Sequence, residues 1–186
     1  MKLLIANRGE IAIRLARAAA DLDIPTVAVF AEDDARSLHV SQADEAFALS
    51  GSGAKAYLDI AQLIAAARET GCDAVHPGYG FVSENSAFAE QCEAAGVTFV
   101  GPRPETLALF GDKVRARGFA EAEGVPVVRG VSRAIDLDAA LAFFDALPSG
   151  TPAMLKAVGG GGGRGMRVVR DRDSLSDAFD RAQSEA

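Results

Sequence analysis

The 186-residue chain carries a formal net charge of −7 with 49% hydrophobic and 24% charged residues, a balance that suits a folded globular protein and not a disordered one. The acidic excess argues against nucleic acid as a partner, because phosphate backbones demand basic surface. Arg8 follows the first residues too soon for the apolar core of a signal peptide, and no run of about 18 apolar residues occurs, so no membrane partner is expected and the expected compartment is cytoplasmic.

In chain order, KLLIA reads as a strand and NRG as a turn, followed by a helix from Glu10 to about Asp21 whose buried face is Ile11, Leu15 and Ala18. PTVAVF (Pro25 to Phe30) is the next strand, and His39 to Leu49 adds a short helix and an extra strand. Ile60, Leu63, Ile64 and Ala67 share one helical face, and Gly71 ends that helix. DAVHPGYG is a strand that breaks at Pro77. A helix from about Glu84 to Ala95 and the strand VTFVGP follow. Strands alternating with helices in this way predict an α/β fold with a doubly wound parallel sheet over residues 1–103.

Residues 104–127 read as a helical connection interrupted at Gly111 and Gly118, and EGVPVV marks its end. In residues 128–186, Leu137, Leu141 and Phe144 form a helical face, PAMLKAV and MRVVR are strand-like, and a last helix begins at the capping pattern Ser174 to Asp177. This second unit is small for an independent core. The chain stops at QSEA with one edge of the two-strand sheet open, which points to truncation.

Five consecutive glycines, Gly159 to Gly163, separate those two strands. Glycine inside an element costs roughly 0.5–1 kcal/mol relative to alanine, so the run serves something other than stability. The flanking alternating patterns make it a hairpin tip rather than a linker. Arg164 stands where a GxxxxGK[ST] loop needs lysine, and the GxGxxG match opens a strand where a dinucleotide fingerprint must open a helix. A glycine flap between strands suits a backbone that covers polyphosphate with its amides. Lys156, just before the flap, would be costly in a strand interior without an anion; alternatively it points to solvent on the strand's polar face.

Cys72 and Cys92 lack CxxC spacing, and with two scattered histidines they make no zinc set, so buried reduced thiols are expected. His76, followed by proline, reads as a satisfied loop histidine rather than a base. Asn7, Arg8 and Gly9 lie where a doubly wound sheet binds ligands, but read as turn architecture.

Five ordered segments then carry a resemblance: IANRGEIAIR, AVHPGYGFVSEN, FVGPRPE, FGDKVRAR and MLKAVGGGGGRGMRVVR. Together they resemble biotin carboxylase, the ATP-grasp component of biotin-dependent carboxylases. The resemblance covers nearly the whole chain, and implies an N-terminal doubly wound (pre-ATP-grasp) domain, a helical connection, and an incomplete ATP-grasp lid subdomain (α+β) with a glycine flap. It implies that Lys113 and Lys156 contact ATP phosphates, that Gly161, Gly162 and Gly163 cover them, and that Met166 packs near adenine.

The implied chemistry is phosphoryl transfer from MgATP to bicarbonate, giving carboxyphosphate, and then carboxylation of biotin on a carrier protein. No catalytic residue is expected within this chain, and the Mg2+ ligands are expected beyond Ala186, so the chain alone should be inactive. The implied partners are a biotin carboxyl carrier protein or domain, a carboxyltransferase, and a second copy in a homodimer. Arg14 and Arg17 lie where the family's dimer contacts are often found, or else on a solvated helix face. VVRGVSRAIDL departs from the family's PGS-type segment, and LPSGTPAML points to a large single-chain acyl-CoA carboxylase. The alternative is a noncatalytic nucleotide-binding or assembly module with the same fold.

Overall fold

The computed structural model describes residues 1–131, 133–157 and 165–184, and these form two compact units that divide between Gly111 and Asp112. In the first unit, strands β1 (Leu3–Ile5), β2 (Thr26–Phe30), β3 (Glu45–Ala48), β4 (Ala74–His76) and β5 (Thr98–Phe99) form one parallel sheet in the order β3-β2-β1-β4-β5. Helices α1 (Gly9–Ala20), α2 (Leu38–Gln42), α3 (Ile60–Glu69), α4 (Ser86–Ala94) and α5 (Pro104–Gly111) accompany it.

Successive side chains of a strand point to opposite faces, and β1 uses both. Leu3 and Ile5 pack with Ala12, Ala16 and Ala19 of α1. Leu4 packs on the other side with Leu63 and Ala67 of α3 and Phe88 and Cys92 of α4. Helices therefore cover both faces, as a doubly wound sheet requires. The expected face of α1 is corrected: Ala18 is exposed, and the buried stripe is Ala12, Ala16 and Ala19. Small residues on that stripe let the helix axis approach the sheet, while Ile11 and Leu15 are only half-buried. Asp59 and Asn85 cap α3 and α4 by accepting from Gln62 N–H and Phe88 N–H.

The second unit contains α6 (Lys113–Ala122), α7 (Leu137–Asp145), strands β6 (Ala153–Lys156) and β7 (Met166–Val169), and α8 (Leu175–Ser184). The two strands pair antiparallel, and Leu155 and Val169 on their inner face pack with Ala140 and Phe144 of α7 and Leu175, Ala178 and Phe179 of α8.

Two boundary expectations are corrected here. Gly118 does not interrupt the helix but lies inside α6. The break falls at Asp112, whose carboxylate accepts from Val114 N–H at 2.8 Å and Arg115 N–H at 3.1 Å; a cap determines a helix start more strongly than one interior glycine opposes it. Ser174, expected to cap α8, instead donates its hydroxyl to the Asp171 carbonyl at 3.1 Å.

Candidate functional site

Among the described residues, the C-terminal edge of the parallel sheet and the outer face of the hairpin are candidate ligand positions. In the first, the strand order reverses between β1 and β4, the point where open α/β sheets bind their ligands. Here the protein's own groups occupy it. Asn7, fully buried at the end of β1, donates through Nδ2 to the carbonyls of Pro77 at 2.7 Å and Tyr79 at 3.0 Å, and its Oδ1 accepts from Arg8 N–H at 2.8 Å. Gly78 has φ +65°, and a Cβ on it would lie 2.5 Å from Ile11 Cγ2 and 2.9 Å from Asn7 Nδ2. The His76 Nδ1 accepts from Gly78 N–H at 3.0 Å, so this histidine is satisfied in the loop, and burial lowers its pKa.

Beside Asn7, Arg8 pairs with Asp34 at 2.9 Å and lies over the rings of Tyr57 and Phe81. Tyr57 and Ser37 also donate to Asp34, at 2.8 and 2.9 Å. Burial pushes the Asp34 carboxyl up, but the hydrogen bonds from Arg8, Tyr57 and Ser37 outweigh it and hold the pKa below the ordinary carboxylate value. Asn7, Arg8 and Gly9 are thus turn architecture in the structure. Cys72 and Cys92 are free and buried, and burial raises the Cys92 thiol to about 11.

The hairpin presents the opposite character. Alternation places Met154, Lys156, Met166 and Val168 on its outer face, with Met154 paired to Val168 and Lys156 to Met166. All four are exposed, the three apolar ones by 48%, 37% and 52% for Met154, Met166 and Val168. Of the two readings of Lys156 the buried one is corrected and the solvent-facing one agrees with the exposure of the side chain; yet the face it stands on is apolar rather than polar. Among the described residues its ammonium has no ion-pair partner. An apolar platform carrying one ammonium suits a ligand with a flat apolar part and an anionic part.

Lys113 begins α6 and is exposed. No described contact joins it to the Lys156–Met166 pair. Gly161, Gly162 and Gly163 lie outside the described residues. Two features were not anticipated from sequence: the apolar neighbours Met154 and Val168, which the alternation of AMLK and MRVV could have revealed, and the packing of Gly165, which no local pattern signals.

The sequence profile described as "Biotin carboxylase, N-terminal domain" matches residues 1–107. The chain belongs to the biotin carboxylase family. A second profile, "Carbamoyl-phosphate synthase L chain, ATP binding domain", matches residues 112–186, the span of the second unit. Over its full length the chain is 51% identical to pyruvate carboxylase of Staphylococcus aureus, of which it spans 16%, and 48% identical to biotin carboxylase of Haemophilus influenzae, of which it spans 42%. It also matches the biotin carboxylase domain of Hydrogenobacter thermophilus 2-oxoglutarate carboxylase, with a TM-score of 0.93 and 41% identity over all of this chain and 41% of that one. That structure is a dimer holding MgADP, ADP and bicarbonate. The expected family and fold class agree with these relatives.

Among the described residues no group of three or more His, Cys, Asp or Glu side chains gathers as cation ligands would. No described helix is long and apolar enough to cross a membrane.

Proposed function

We propose that this chain contributes the doubly wound N-terminal unit and a nucleotide-facing hairpin to an ATP-dependent biotin carboxylase. The observation that carries this reading is the Lys156–Met166 pair, a single ammonium without a described carboxylate partner on an otherwise apolar exposed strand face. Met166 offers a polarisable thioether to the adenine ring, and Lys156 offers three N–H donors to phosphate oxygens. Lys113 supplies a second ammonium, and the backbone of Gly161, Gly162 and Gly163 covers the phosphates.

The reaction is transfer of the γ-phosphoryl group of ATP to bicarbonate, which breaks the β,γ-bridging P–O bond and releases ADP and carboxyphosphate. The C–O bond between the carboxyl group and phosphate in carboxyphosphate then breaks, and phosphate leaves and takes up the proton lost by the ureido nitrogen of biotin. The carboxyl group bonds to that nitrogen on the carrier, and a carboxyltransferase hands it on. Within that sequence the residues of this chain bind and orient ATP: the ammonium groups disperse charge on the transferring phosphoryl group, and the apolar strand face excludes water from the base. Their role is to bind and orient, while catalysis and Mg2+ coordination are assigned to other residues of the enzyme. The H. thermophilus relative is a dimer, which supports a homodimer for this chain; Arg14 and Arg17, both exposed on α1, are assigned to its interface on the family resemblance alone.

Calorimetry with MgATP tests the reading. The 186-residue chain should bind, and Lys156→Ala should weaken binding by about ten- to a hundredfold, the equivalent of losing one charge-assisted hydrogen bond. Equal affinities for the two proteins would remove Lys156 from the site.

A further inference from the structure

One ladder step beyond Lys156 and Met166, toward the glycine loop, Ala157 N–H donates to the Gly165 carbonyl at 2.9 Å. Gly165 is buried, with φ +65°. A Cβ built on it would lie 2.6 Å from Ala157 Cβ and 3.3 Å from the carbonyl oxygen of Ala182, in the last turn of α8. The first distance is closer than real Cβ contacts come, and the second meets backbone, which cannot rotate away. Ala182 is itself buried. Strand β6, strand β7 and helix α8 therefore meet at one point with no room for a methyl group.

We propose that Gly165 is a positioning residue for the nucleotide site: by lacking a side chain it seats the loop end of the strand pair on α8 and fixes Met166 and its cross-strand partner Lys156 in register on the outer face. This rests on the nucleotide reading above. Gly165 neighbours Met166 in sequence, and its carbonyl receives the N–H of the residue that follows Lys156, so any displacement of its backbone passes directly into both ligand-facing residues. A substituent on Gly165 must either lift the loop end of the strand pair off α8 or push Ala157 aside. Both move the Lys156–Met166 pair, while the inner-face contacts of Leu155 and Val169 with α7 and α8 can remain.

The test uses the 186-residue chain in three forms: unchanged, Gly165→Ala, and Gly165→Ala combined with Ala157→Gly, which removes the nearer clashing methyl group. Two quantities are read, MgATP affinity by calorimetry and hydrogen exchange at the Ala157 amide. Gly165→Ala should weaken MgATP by about tenfold and lose protection at Ala157, and the double variant should recover part of both, since the left-handed backbone and the Ala182 carbonyl remain. Recovery by deleting a methyl group on a neighbouring strand is an outcome that general loss of stability does not produce.

The proposal is overturned if Gly165→Ala keeps both the affinity and the exchange protection, or loses protection without losing affinity, or if the double variant recovers neither. If the unchanged chain binds no MgATP, the nucleotide reading fails by itself. The exchange measurement then still decides whether Gly165 sets the hairpin register.

Discussion

The two places where this chain could meet a ligand are built on opposite principles. At the switch point of the parallel sheet, Asn7 satisfies two carbonyls and one amide, Gly78 has no room for a Cβ, and Arg8, Tyr57 and Ser37 converge on Asp34. At the hairpin, an ammonium and three apolar side chains face outward, with no described ion-pair partner for the ammonium. A site whose polar groups are mutually satisfied contributes stability and offers a ligand little; a site with an unmatched cation on apolar surface does the reverse. The doubly wound sheet thus holds the fold here, although many sheets of this topology bind nucleotides at the same edge.

The contrast predicts separable mutations. The largest effect should come from Gly78→Ala, which combines a left-handed backbone with contacts of 2.5 and 2.9 Å to Ile11 and Asn7. A loss of about 3 kcal/mol or more in urea unfolding is expected. Asn7→Ala should follow closely, because it leaves the carbonyls of Pro77 and Tyr79 without their donor. At temperatures where both variants remain folded, MgATP affinity should equal that of the unchanged chain. A parallel loss of affinity would erase the distinction between the two places.

Lys156→Ala should show the mirror image, with the tenfold or greater loss of MgATP affinity and a melting temperature within experimental scatter, since the side chain is exposed and makes no described ion pair. Asp34→Ala is intermediate and affects only the first unit. Removing the acceptor of Arg8, Tyr57 and Ser37 should cost about 2 kcal/mol. Because the folded-state pKa of Asp34 lies below its unfolded value, its contribution is complete above about pH 4 and disappears as the pH falls through the folded value. The variant should therefore lose part of the acid sensitivity of the unchanged chain in that range.

How much of this was legible in the sequence depended on the range of the interaction. Helix α3 was readable because Ile60, Leu63, Ile64 and Ala67 repeat at helical spacing and Gly71, at φ +66°, ends the run. The hairpin was readable from the two short strand-like runs on either side of the glycines, AMLKAV and MRVVR. By contrast, α1 presents an alanine stripe that differs little in hydrophobicity from its neighbouring alanines, so the buried face could not be chosen from the pattern. The role of Asn7 depends on carbonyls 70 and 72 residues away, and that of Gly165 on a turn of α8. Lys156 shows the limit most clearly: the strand was identified, but which of its faces meets the core is decided by α7 and α8, and the sequence left burial and exposure of Lys156 as open alternatives for that reason.

The smallest expected effect separates the units by pH rather than by mutation alone. Both histidines of the chain, His39 and His76, lie in the first unit, and burial lowers the pKa of each. His39 is 1% exposed; its Nε2 faces the Val29 carbonyl at 3.2 Å, and its Nδ1 has no hydrogen-bond partner among the described residues. Protonation would place a second N–H donor on that unpartnered atom, and in His76 it would remove the acceptor for Gly78 N–H. The unfolded chain therefore binds more protons than the folded one below the ordinary histidine pKa of about 6.5, and stability must fall as the pH drops from there. The slope is bounded at about 1.4 kcal/mol per pH unit for each histidine fully protonated only in the unfolded state. Urea unfolding of the first unit between pH 5 and 7 should show this slope, and His39→Gln should reduce it by removing one of the two protons. The second unit contains no histidine, so an equal slope in its own unfolding transition would assign the pH dependence to something other than these two rings.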